Sequence, residues 1–190
     1  MQDLKNTYFD EALDGYLPVI PGVYPAHVTE LDTREFDSGS TVFNVTFQLA
    51  EECKNLQVPK LIKNGEAWEQ EIDDNKEPVT IDGSYLISKK FRSQGVWLTP
   101  SPEPGQGWRN RNYKEFFSSL GITFEEQDGK TKLGFVEKED VLGMPSLVKL
   151  GEEEYEQDGQ TKKAMRGFSC YTWNDGTRLS QEELGEDIPF

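Results

Sequence analysis

A single histidine and two cysteines are spread over the 190 residues of this chain, and no apolar run is long enough to span a bilayer. With only His27, a multi-histidine metal centre is excluded. Cys53 and Cys170 lie far apart and form no Cys-x-x-Cys pair, as suits a reducing compartment. Met1 to Glu11 is polar and lacks the apolar core of a signal peptide, so a soluble cytoplasmic protein with no membrane partner is expected. No GxSxG, Walker A, HExxH or GxGxxG motif is present, and the carboxylates form no recognisable two-metal pattern, so neither an enzyme nor a cofactor is expected. Bases are also scarce: 20 Lys+Arg stand against 35 Asp+Glu, a net charge of -15 that lacks the usual basic footprint of a nucleic-acid binder. What the chain does have is aromatic residues, 12 % within a hydrophobic total of 35 %, enough for one core.

The charge is unevenly placed. Residues 1–83 carry 17 acids and 6 bases. Residues 84–114 invert this, with Lys89, Lys90, Arg92, Arg109, Arg111 and Lys114 against Glu103 alone, a net of +5. Residues 160–173 hold Lys162, Lys163 and Arg166 and no acid, a net of +3. Both basic segments are rich in rings: Tyr85, Phe91, Trp97, Trp108 and Tyr113 in the first, Phe168, Tyr171 and Trp173 in the second. The last 17 residues return to a net of -4.

Period-two alternation predicts a strand from Pro21-Gly22 to about Thr33 and a clearer one over Thr41–Leu49, joined by the Asp37-Ser38-Gly39-Ser40 turn. Residues 51–82 read as a long acidic insertion, and Ser84–Arg92 as a third strand with Tyr85, Ile87 and Phe91 on one face. The Pro/Gly-rich stretch 99–110 reads as a loop bearing Trp108 and Arg109. Tyr113, Phe116, Phe117 and Leu120 recur at i, i+3, i+4 and i+7, predicting a core-facing helix over about 111–120 with Gly121 at its C-terminal end. An apolar segment from Asp140 to Leu150 and a strand over Lys162–Trp173 flank an Asp158-Gly159 turn as a second hairpin. The heptads EQDGKTK (126–132) and EQDGQTK (156–162) are read as recurring turn chemistry rather than an internal repeat.

Strand, strand, strand, helix, strand, strand is the order of an oligonucleotide-binding (OB) fold: mainly β, a five-stranded barrel with one helix between strands 3 and 4. The expected organisation is a polar leader (1–18), an OB domain (19–173) interrupted by the insertion 51–82, and a disordered acidic C-terminal tail (174–190).

The chain closes on Glu186, Asp187, Ile188, Pro189 and Phe190. This ending resembles the acidic tip of bacterial single-stranded DNA-binding proteins, with a shorter run of acids. The body, with its PGxYxAxV opening, aromatic helix ending in Leu-Gly, and LGMPSLVKL before a Tyr-bearing hairpin, is similar instead to phage-encoded single-stranded DNA-binding proteins. The resemblance implies an OB fold, sequence-independent binding and protection of single-stranded DNA in phage replication, recombination and repair, and residence in the host cytoplasm. It also implies recruitment of replication or recombination proteins by the tip. Physically, Phe190 can fill an apolar pocket on a partner while a Lys or Arg there binds the neighbouring carboxylates, and Pro189 lowers the ordering cost.

Bases stack on aromatic faces whatever their sequence, while Lys and Arg neutralise phosphates. The candidate strand-binding residues are therefore Lys89, Lys90, Arg92, Trp97, Trp108, Arg109, Arg111, Lys162, Lys163, Arg166 and Trp173. Phe91 and the helix rings are assigned to the core, His27 to a structural role, and Trp68 to neither. Two other readings stand beside this one: an acidic DNA mimic that inhibits a host DNA-binding enzyme, and a replisome adaptor that binds no DNA. A homo-oligomer is compatible with all three.

Overall fold

The computed structural model describes residues 17–65, 67–100, 105, 107–157 and 159–185. In chain order, the first half contains β1 (Gly22–Glu35), β2 (Thr41–Leu49), β3 (Gln57–Pro59), β4 (Leu61–Asn64), β5 (Ala67–Gln70) and β6 (Thr80–Asp82). There follow β7 (Lys90–Arg92), β8 (Val96–Leu98), helix α1 (Gly107–Ser119), β9 (Glu125–Gln127), β10 (Lys130–Lys132) and the short helix α2 (Lys138–Val141). The last elements are β11 (Pro145–Gln157), β12 (Gln160–Tyr171) and the helical turn α3 (Gln181–Gly185). The chain is mainly β.

β2 is the alternating segment of the sequence, with unchanged limits, and it organises the main sheet. Its Phe43, Val45, Phe47 and Leu49 are buried, whereas Asn44, Thr46 and Gln48 on the opposite face are only half-buried. β1 pairs antiparallel with β2 on one side and with β11 on the other, and β11 turns back into β12. The free side of β2 is shared by β7, opposite Thr46 to Gln48, and β8, opposite Thr41 to Phe43. The order is thus β12-β11-β1-β2-β7, with β8 also on β2, six strands rather than five. No ladder closes this sheet among the described residues. A single parallel bridge, Ser93 to Gly167, brings its edges together, with the Gln94 N–H donating to the Gly167 carbonyl at 2.9 Å.

Helix α1 covers one end of the core, as its spacing requires. Tyr113, Phe116 and Phe117 are buried, and Phe43 of β2 meets Tyr113 and Phe117 at ring distances of 5.1 and 5.5 Å. The Tyr113 hydroxyl donates to the Gly134 carbonyl at 2.8 Å and accepts from Val136 N–H at 3.1 Å, so its polar end is satisfied inside the core. Gly121, at φ +86°, ends the helix in the left-handed conformation and lets Ile122 N–H reach the Phe117 carbonyl at 3.0 Å.

Several boundaries differ from the sequence expectation. Only Lys90–Arg92 of the expected strand Ser84–Arg92 is extended; Gly83–Leu86 is a 3-10 turn whose Asp82 cap accepts from Ser84 N–H at 2.9 Å and which drives Leu86 into the core. Phe91 faces Phe47 across the β2–β7 pair and packs on the core as assigned. α1 begins at Gly107, so Trp108 and Arg109 are helical rather than part of a loop. The insertion 51–82 has its own structure: a 3-10 turn (Glu51–Asn55) and the pairs β3–β6 and β4–β5, with Trp68 half-buried opposite Lys63. Both heptads lie in hairpins, β9–β10 and β11–β12; Asp128, Gly129 and Gly159 have φ of 51°, 71° and 73°, the left-handed geometry of tight hairpin turns.

The expected tail is docked over much of its length. Trp173, beyond the end of β12, lies 5.5 Å from the His27 ring, and His27 Nε2 is 3.0 Å from the Thr177 carbonyl. Arg178 donates to the carbonyls of Leu142 (2.9 Å) and Glu139 (2.6 Å), satisfying the C-terminal end of α2. Leu179 N–H donates to Gly143 at 2.9 Å; a Cβ on Gly143 would fall 2.2 Å from the Leu179 carbonyl oxygen. The tip, Glu186 to Phe190, lies outside the described residues.

Burial holds the His27 pKa below its ordinary value, partly offset by the Thr177 carbonyl and by Glu52 and Glu183. The unfolded chain therefore takes up a proton on His27 that the folded chain resists, and the stabilisation, present above about pH 6.5, is lost progressively as pH falls from there toward the lower value of the folded chain. Acidification from about pH 7.5 to pH 5.5 should lower the melting temperature more in the wild type than in His27→Gln. Parallel melting profiles for the two proteins would contradict this role.

Candidate functional site

Between α1, β8 and the end of β12 lies an open groove of about 640 Å³. One wall is a single helix face: Trp108, Asn112, Glu115 and Ser119 recur at i, i+4, i+7 and i+11. The other wall is β12, with Phe168 and Tyr171, and Trp97 of β8 stands at one end. Register explains the position of Trp97. Pairing with Val42 puts it on the outer face of the sheet, the same side as Arg92, which pairs with Thr46. Gly95 leaves room for the packing there, because a Cβ would come within 2.6 Å of a Val42 methyl.

The start of α1 is pinned to β8 by Asn110, whose side chain donates to the Thr99 carbonyl and accepts from Thr99 N–H, both at 2.8 Å. This clamp carries the helix start into a Pro/Gly-rich stretch and delivers Arg109 to the indoles. The guanidinium carbon lies over Trp97 at 5.1 Å and over Trp108 at 5.7 Å. Phe36 adds a further ring 5.1 Å from Trp97, and Arg34 lies over Phe36 at 5.0 Å. Arg109 Nε is buried without a hydrogen-bond partner among the described residues. Leaving it so is costly, which fits a side chain held ready for a ligand acceptor.

Three of the eleven candidate residues therefore meet in the groove: Trp97, Trp108 and Arg109. Arg111 is exposed on the neighbouring turn of α1. Lys90 and Arg92 are exposed on the outer sheet face, Arg92 paired with Asp32 at 3.2 Å. Lys89 donates to the Leu17 carbonyl at 2.8 Å and lies over Tyr85; burial holds its pKa below the ordinary value. Trp173 is outside the groove, against His27.

The second basic segment is largely neutralised. Antiparallel register sets it against the acids of β11: Lys163 lies 3.4 Å from both Glu152 and Glu154, and Arg166 lies 3.3 Å from Glu153. Lys162 donates to Gln157 at 3.0 Å. The exposed Lys163 pairs are each worth only about 0.2–1 kcal/mol, so a phosphate can compete for that cation; the Arg166–Glu153 pair is half-buried. Phe168 and Tyr171, 39 % and 47 % exposed, line the groove but were not among the candidates. Their place in an aromatic basic segment is the available signal; their exposure depends on the bulge in β12 that leaves Phe168 unpaired opposite Lys149–Leu150, and on Gly151, over which the Phe168 ring lies.

Cys170 lines the groove, with its sulfur 2.8 Å from Ser119 Oγ, but burial pushes the thiol up to about 11 and keeps it protonated at neutral pH. Among the described residues, no three His, Cys, Asp or Glu side chains converge to hold a metal ion, and no helix is long and apolar enough to cross a membrane. No family model matches this chain, and no curated protein matches it.

Proposed function

We propose that the groove binds single-stranded DNA largely without regard to sequence, as a phage-type single-stranded DNA-binding protein would in replication, recombination and repair. The observation that carries the reading is the Trp97–Arg109–Trp108 cluster at the mouth of a groove walled by exposed Phe168 and Tyr171. It offers ring faces to bases and one cation to the backbone. The strand order supports an OB barrel: the first strand is flanked by the second and the penultimate, the β7 segment meets β12 in parallel, and the helix intervenes before β11. In this reading, Glu186, Asp187, Ile188, Pro189 and Phe190 recruit replication or recombination proteins.

Titrating intrinsic tryptophan fluorescence with oligo(dT) at low salt tests the proposal. Quenching that weakens as salt rises, with duplex DNA much less effective, is expected. No change at low salt would sink it. A chain lacking Ile188 to Phe190 should still bind oligo(dT) and should fail to pull down the replication proteins.

The neutralisation of Lys163 and Arg166 by Glu152, Glu153 and Glu154 favours a second reading, an acidic DNA mimic. That protein would show no oligonucleotide affinity in the same titration.

A further inference from the structure

Among the described residues, Glu115 is the one acid lining the groove, and it makes no ion pair or hydrogen bond with any of them. Several other acids are matched: Glu126 with Lys114, Glu152 and Glu154 with Lys163, and Glu153 with Arg166. An unmatched carboxylate in a proposed DNA groove calls for its own explanation. It repels a phosphate brought close to it. A strand in the groove must therefore keep its backbone away from Glu115 and turn base edges toward it.

We infer that Glu115 gives the groove a preference for guanine over the other bases of a single strand; this rests on the single-strand reading above. An ionised carboxylate is an acceptor only, with two oxygens that match two parallel donors. In a single strand, the Watson–Crick edges are free. Guanine alone offers two adjacent donors there, N1–H and the 2-amino group. Thymine offers one N–H between two carbonyl oxygens, which the carboxylate repels. Adenine and cytosine each place an acceptor nitrogen beside their amino group. Stacking on an exposed ring of the groove such as Phe168, on the wall facing α1, holds a base by its face and leaves its Watson–Crick edge free, and Glu115 lies on the α1 wall with Asn112 one turn before it. Glu115 is exposed, so the gain belongs at the low end of a bidentate base contact, about fivefold in affinity.

The test uses the full-length protein and oligo(dT) strands of about 12 nucleotides carrying one central dG, dI, dA or dC, a length within one OB-fold site. The dG strand should bind about fivefold tighter than all-dT, and dI, which lacks the 2-amino group, should lose most of that advantage. Glu115→Gln should remove the dG advantage and raise affinity for all-dT, because a negative charge leaves the groove. Equal affinities for dG and all-dT, or a dG advantage that survives in Glu115→Gln, would overturn the inference while leaving single-strand binding intact. Failure of every strand to bind would overturn both.

Discussion

Replacing Trp108 by alanine is expected to weaken oligo(dT) binding at least fivefold and up to about 150-fold, since one base–aromatic stack is worth about 1–3 kcal/mol. The substitution should do this without unfolding the protein. Trp108 is 53 % exposed, and the fully buried rings of α1, Tyr113 and Phe117, lie on the other face of the helix. Anisotropy of a labelled oligonucleotide, which does not depend on the lost indole, measures the affinity, and thermal melting provides the folding control. Trp97→Ala should lower both affinity and stability, because Trp97 also packs on Phe36 and supports Arg109. Trp173→Ala should leave affinity unchanged, since that ring packs on His27. Wild-type affinity in Trp108→Ala would move the binding surface away from the groove.

The largest effect on stability is expected from Phe117→Ala. Phe117 is fully buried, with ring distances of 4.8 Å to Tyr113, 5.3 Å to Phe116 and 5.5 Å to Phe43. Emptying this site should cost about 3–5 kcal/mol, the lost transfer energy plus the cavity left among rings that cannot collapse. For a domain of this size, that is a fall in melting temperature of about 6–20 °C by calorimetry. A fall of less than about 3 °C would mean that α1 does not close the core as described. Strand affinity should fall with stability, because α1 is also a groove wall.

The residues behind these two predictions were not equally legible. Phe117 declared itself through the 113, 116, 117, 120 spacing, because a helix with four large apolar residues on one stripe has little choice but to bury them. β2 was legible for the same reason at period two. The sequence marks Trp108 and Arg109 as candidates but points to a loop, because Pro102, Pro104, Gly105 and Gly107 disfavour a helix, and Asn110, whose clamp on Thr99 fixes its start, carries no such signal in the sequence. The Ser84–Arg92 pattern failed for another reason. Asp82 caps a turn there, and burial of Leu86 outweighs the alternation of Tyr85 and Ile87.

The net charge of -15 was equally visible from the start, and its segmental breakdown located the first basic stretch that supplies Trp97, Trp108 and Arg109. It could not reveal that Lys163 and Arg166 face Glu152, Glu153 and Glu154, since a segment's charge says nothing about the strand opposite it.

By itself, then, the sequence determined the β-rich character, the inward faces of β2 and α1, the two hairpin turns and the residue types suited to stacking. These depend on interactions within a few residues, and periodicity records them directly. Only the tertiary structure decided which aromatics stand open to solvent together, which cations are already matched, where Trp173 goes and how far the C-terminal segment is docked. Those depend on register and on contacts such as His27 with Thr177 or Gln94 with Gly167, between residues far apart in the chain. Local propensity cannot specify them because their energies exist only once the sheet has formed.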